Sequence, residues 1–238
     1  LAGFVWRQLA LRRTGGAPLL DLRPLTVRNF RLSVGVFSIA FAVLLGTAML
    51  LPLIAQQGMA EGVLVAGLIM LPGAGLQGAL GPVIGRLYDA VGPRPLVIPG
   101  AILFSAGQWW ATTLEVDSPI WMVAGVYLVF CVGMALIMTP LTTTALGSLP
   151  RQQYPYGSAI LGTLQQLAGA AGIALFVAVL AIGAVAHAGA GGDPDAPAAV
   201  LAGARWSFVV GGCVGIVLLV GALFIRRPQP AVEETAGH

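Results

Sequence analysis

Six long stretches of this chain contain no Asp, Glu, Lys or Arg: residues 32–55, 63–85, 96–114, 119–146, 157–187 and 206–225. An α-helix rises about 1.5 Å per residue, so roughly 20 apolar residues cross the hydrocarbon core of a bilayer. Each stretch meets or nearly meets that length, and the fourth and fifth exceed it enough to imply tilt or a helical extension. Period-two alternation, the mark of a membrane barrel, is missing. Only 9% of the 238 residues are charged. A soluble domain carries about 25%, so this chain lacks the charge to cover a water-facing surface. The sequence predicts an all-α integral membrane protein built as a six-helix transmembrane bundle.

Orientation follows from the arginines. There are twelve and no lysine. Six spans give two alternating sets of loops; one set holds Arg7, Arg12, Arg13, Arg23, Arg28, Arg31, Arg86, Arg94, Arg151, Arg226 and Arg227, and the other holds Arg205 alone. Basic residues concentrate on the cytoplasmic side of membrane proteins. Both ends of the six-helix domain are therefore expected in the cytoplasm, in a multi-pass protein of the cell membrane. The net charge of +3 reads as topology rather than as nucleic-acid binding.

Three regions follow. Residues 1–31 read as the end of a preceding helix, LAGFVW, running into a basic cytoplasmic loop, which leads us to expect further chain before Leu1. Residues 32–225 form the six-helix domain. Residues 226–238 have too little apolar content to pack and read as a disordered cytoplasmic tail. The longest outside loop, AGAGGDPDAPAAVLAGAR, is rich in Gly, Pro and Ala and reads as flexible.

Within the apolar stretches, polar side chains are the informative exceptions. Gln165 and Gln166 sit uncharged among Gly157, Gly162, Gly169 and Gly172, and an amide in lipid is costly unless it finds a partner. At least one is expected to face the bundle interior or a cavity. The glycines, with Ala168 and Gly172 four apart, let helix backbones approach closely. Gln77 lies between Pro72 and Pro82, which kink or open a helix and bare carbonyls to a cavity. Gln108, beside Trp109 and Trp110, reads as part of an interfacial aromatic belt. Thr142, Thr143 and Thr144 are expected to bond back to their own helix. Cys131 and Cys213 read as small apolar packing residues.

The segment GRLYDAVGPRP, residues 85–95, reads as a short cytoplasmic link between the second and third helices, with glycines allowing a turn at each end. Asp89 and Arg94 are opposite in charge and five apart. They can pair with each other or reach the ends of neighbouring helices, where macrodipoles favour them.

The pattern Gly85, Leu87, Asp89, Gly92 and Arg94 resembles the loop signature of the major facilitator superfamily, which follows the second helix of a six-helix half, its position here. The family pattern has basic residues at two positions that are Ala90 and Pro93 in this chain. PLLDLRPLTVRNFR (18–31) is similar to the segment leading into the C-terminal six helices of the fourteen-helix drug/proton antiporters. GSAILGTLQQLAGAAGIALF (157–176) is similar to the start of the fifth helix of that half.

The resemblance implies the C-terminal half of a major facilitator fold, made of two three-helix inverted repeats that enclose half of a central cavity. It implies a secondary transporter exporting drugs or other amphipathic small molecules in exchange for protons, with the proton gradient as energy source and no cofactor. Gln77, Gln165 and Gln166 are the cavity candidates, and the signature residues are the conformational latch. The expected partners are membrane lipid, an amphipathic substrate and an N-terminal half of the same polypeptide, not nucleic acid.

No carboxylate lies in the six stretches, and the histidines, His187 and His238, lie at a helix end and at the terminus. The titratable group that a proton-coupled pump needs is therefore expected in the N-terminal half. No phosphate-binding loop, metal-ligand cluster or nucleophile–base pair is visible, so no enzyme is expected. The rival reading is a non-transporting scaffold or assembly subunit, or an inactive half-transporter.

Overall fold

The computed structural model describes residues 22–189, 193, 196–225 and 227. The expectations for residues 1–21, for Arg226 and for the tail from 228 onward lie outside the described residues.

Among the described residues, seven α-helices make the six spans: α1 (Arg28–Leu53), α2 (Val63–Leu68), α3 (Leu71–Val91), α4 (Arg94–Ala111), α5 (Ile120–Gly147), α6 (Tyr154–Gly189) and α7 (Pro197–Phe224). A π-helical turn, Ile54–Gly58, prolongs α1 beyond Pro52. The short α2 and the long α3 together form the second span. Among the described residues, five spans are long and apolar enough to cross a membrane. The third, α4, has 18 residues, or ~27 Å at 1.5 Å each, and carries Arg94, Gln108 and two tryptophans within its bounds. It packs between α5 and α7, and this protein environment accommodates its polar groups.

Neighbour relations follow a rule. The first span packs against the fifth as the fourth packs against the second; the third packs on the fourth as the sixth does on the first. Under exchange of the first three spans for the last three these pairings correspond, whereas the close packing of the fifth span on the sixth has only a slight counterpart between the second and third. An odd number of crossings separates the two sets, so the repeats run in opposite senses. α1 and α5 lie in contact at the centre. The second and fifth spans are peripheral, with only 11% and 22% of their most apolar windows buried.

Phenylalanines fill the core: Phe30, Phe104, Phe130, Phe176 and Phe208 are fully enclosed. The rings of Phe104 and Phe130 join α4 to α5 at 5.1 Å. Where no ring intervenes, backbones touch. A Cβ on Gly133 would stand 2.5 Å from the Phe104 nitrogen, and one on Gly172 would meet the Ala42 carbonyl oxygen. These contacts are how glycine-rich spans pack without a hydrophobic driving force between helices.

Several sequence boundaries are corrected. The second span was expected to end at Gly85, but α3 continues to Val91, so Gly85 lies inside a helix and only Gly92 and Pro93 link it to α4. The sixth was expected from Trp206, but α7 starts at Pro197, taking in residues read as loop and Arg205. Charges end an apolar run without ending a helix, because long side chains reach the interface from a helix that projects past the hydrocarbon. Gln108 is also corrected. Trp109 and Trp110 face outward, but Gln108, turned by about 100° along the helix, is 1% exposed. Its Nε2 donates to Thr47 Oγ1 at 2.7 Å, and its oxygen packs against Gly211 with no hydrogen-bond partner among the described residues.

Candidate functional site: a central cavity and the signature loop

The cavity opens between the two central helices and has a volume of about 490 Å³. α1 supplies an apolar wall in which Phe37 and Phe41 stack at 6.0 Å, with ring planes 7° apart. α5 supplies Met138, Thr139, Thr142 and Thr143. Thr142 donates to Met138 O and Thr143 to Thr139 O, at 2.9 and 3.0 Å. That is the local bonding expected of them, and it leaves hydroxyl lone pairs free to accept. The peripheral helices each add one amide, Gln77 from α3 and Gln165 from α6. α3 and α6 are equivalent under the repeat exchange, so the two amides come from matched elements. No lining residue is charged.

Of the three candidate glutamines, the fold brings Gln77 and Gln165 to one cavity and leaves Gln166 out. Consecutive helical residues diverge by about 100°, and Gln166 is exposed on a different face of α6. Its position therefore carries no argument for ligand contact.

The signature residues gather where α3, α4 and α7 meet. Gly92 has φ +83°, a conformation that disfavours any side chain, and its N–H donates to Tyr88 O at 2.8 Å to close the end of α3. Asp89 is exposed, and among the described residues its carboxylate forms no ion pair with Arg94. Arg94 takes the other route open to it. Its Nε donates to Ile225 O at 2.7 Å and its Nη2 to Leu223 O at 2.8 Å, at the C-terminal end of α7. Gly85 and Leu87 lie on the outer side of α3, with open space around Gly85 and Leu87 44% exposed.

Sequence reasoning missed a polar chain beside this loop. Asn29 Nδ2 donates to Ser148 Oγ at 2.7 Å, Ser148 Oγ donates to Thr144 O at 2.6 Å, and the hydroxyls of Thr144 and Tyr88 bond at 3.0 Å. This chain ties the same end of α1, α5 and α3. The one available signal was the set of polar residues just inside helix ends, which also fits simple exposure to water.

Comparison with known proteins agrees with this architecture. The lincomycin resistance protein LmrB of Listeria monocytogenes is 37% identical over 229 residues, covering 95% of this chain and 48% of the relative. LmrB of Bacillus subtilis is 36% identical over 228 residues, covering 94% and 47%. The multidrug export protein EmrB of Haemophilus influenzae is 31% identical over 163 residues, covering 68% and 32%. The chain thus spans about half the length of the LmrB relatives. Residues 5–173 match the family described as the Major Facilitator Superfamily. The apolar helical spans and these matches establish that the chain is a multi-pass membrane protein belonging to the major facilitator superfamily.

Proposed function

We propose that this chain forms the C-terminal half of a proton-coupled exporter of drugs or other amphipathic small molecules in the cell membrane. The observation that carries the reading is the cavity between α1 and α5, with a stacked aromatic wall on one side and two uncharged amides and threonine hydroxyls on the other. Such a surface suits a molecule with an apolar face and scattered hydrogen-bonding groups. The LmrB relatives are named for resistance to lincomycin, and an antibiotic of that kind is the first cargo to try.

This reading puts both ends of the half in the cytoplasm, and the distribution of arginines supports it. Arg23, Arg28, Arg31, Arg86, Arg94, Arg151 and Arg227 fall on that side, against Arg205 on the other. The cavity walls described here carry no carboxylate, so the proton is carried by a group in the companion half. Transport then follows from rocking of the two halves about the substrate. The role of this half is to bind and orient cargo, and it needs no covalent step.

The test is drug accumulation in cells stripped of their own exporters, with the protein expressed from its natural reading frame. Cells making it should hold less labelled lincomycin than cells without it, and a protonophore should abolish the difference. One amide hydrogen bond contributes about 1 kcal/mol, so Gln77→Leu or Gln165→Leu should each weaken transport affinity about fivefold. Gln166→Leu should leave it unchanged. Equal accumulation with and without the protein, across lincomycin and other amphipathic drugs, would refute the export reading.

A further inference from the structure

Two helix C-termini are bridged by arginine side chains beside the signature loop, that of α3 at Val91 and that of α7 at Phe224. Each ends with carbonyls that the helix itself leaves unpaired, at the negative pole of its macrodipole. α7 has no glycine to curl its end closed; Ile225 is extended at φ −72°, ψ 132°. Its carbonyls are met by the Arg94 side chain, which donates to both Leu223 O and Ile225 O. The chain then returns the favour in kind: Arg227 Nη2, just past α7, donates to Asp89 O in the last turn of α3 at 2.7 Å. The Arg227 stem lies over Gly92, where a Cβ would stand 3.5 Å from its Cδ.

The two arginines therefore cross, each closing the helix end from which the other one departs. Neither occupies the Asp89 carboxylate. The positive-inside tendency accounts for arginines on this side of the membrane, but it does not require guanidinium donors aimed at backbone carbonyls of a helix far away in sequence. Arg94 meets two acceptors at once, which the planar guanidinium fork does and a lysine ammonium does poorly. With Tyr88 held by Thr144 of α5 on the other flank, the end of α3 is fixed from both sides.

We propose that Arg94 and Arg227 form a reciprocal clamp that locks the α3–α4 link to the end of α7 and so positions the Asp89 carboxylate for transport. Arg227, which lies outside the signature pattern, is a positioning residue that acts through Asp89. The inference rests on the transport reading above for its functional consequence, and on geometry alone for the clamp.

The test uses the protein from its natural reading frame with Cys213→Ala, since Cys213 is exposed whereas Cys131 is buried. A nitroxide on Ala90→Cys, next to Asp89, reports the mobility of the loop. Arg94→Ala and Arg227→Ala should each mobilise the label and lower the maximal transport rate about tenfold, the scale of losing charge-assisted hydrogen bonds, with KM unchanged. Arg227→Lys, which still reaches one carbonyl, should recover most of the rate, and Arg94→Lys much less. Adding Asp89→Asn to Arg227→Ala should cost nothing further. An immobile label in both alanine variants, or a full additional loss from Asp89→Asn in that background, would overturn the clamp. Should an alanine variant fail to reach the membrane, the two lysine variants decide by their difference in label mobility. A protein that transports nothing even as wild type would sink the export reading, while the label would still report on the clamp.

Discussion

Gly172 sits where α6 crosses α1, so close that any added carbon would run into the Ala42 carbonyl, a backbone group that cannot swing aside. Ten residues earlier on the same helix, Gly162 has nothing within 4 Å of where a Cβ would be. The two glycines look alike in sequence and should behave oppositely. Gly172→Val should destabilise the protein by about 1–3 kcal/mol or prevent its folding, as overpacking does. Gly162→Ala should stay within about 0.5 kcal/mol of wild type. Thermal melting in detergent separates them, and equal losses would contradict the crossing. Spacing along the chain announces that α6 packs closely but not which of its glycines is at the contact, because the facing helix sets that. Gln165 and Gln166 divide for the same reason. Tyr88, Thr144, Asn29 and Arg227 were illegible for another: their partners lie 56, 119 or 138 residues away, and no local pattern encodes such a bond.

At the scale of the element, the second span shows how a proline is read by its surroundings. Pro72 has no N–H, and its ring crowds the carbonyl of Leu68, four residues earlier. The helix stops there: α2 ends at Leu68 and α3 begins at Leu71. Pro82 and Pro140, by contrast, lie inside helices that continue past them. The expectation is that prolines near Gln77 kink or open the span; the helix breaks at Pro72 and runs on through Pro82. Pro72→Ala supplies the missing donor and should fuse α2 with α3, slowing amide hydrogen exchange at residues 69–73 by about tenfold for each 1.4 kcal/mol gained. Unchanged exchange would mean that some other contact holds the break. The apolar runs located all six spans, since burial in lipid demands them. Their ends were misplaced by several residues, because a charge marks the edge of the hydrocarbon and not the end of hydrogen bonding.

At the scale of the molecule, the repeat exchange organises what the parts do. It puts α1 and α5 at the centre, hangs α3 and α6 on them, and thereby brings one glutamine from each to a shared cavity. Separately from that exchange, two arginines tie the link between α3 and α4 to the end of α7, where the signature loop is held. The class of protein was plain from charge density, and the family from the residues around Asp89. The cavity walls were legible only in part, as polar residues that lipid would not tolerate; Phe37 and Phe41 are indistinguishable in sequence from any lipid-facing ring. In the export reading proposed above, substrate passes against these walls. Its most direct test is thiol labelling of the protein from its natural reading frame, carrying Cys213→Ala and one added cysteine at Thr142, Gln165 or Gln166, with the buried Cys131 kept. A transported drug at saturating concentration should slow the reaction of a polar maleimide at 142 and 165 and leave 166 unaffected. Equal protection at all three positions, or none at 142 and 165 while transport proceeds, would contradict it.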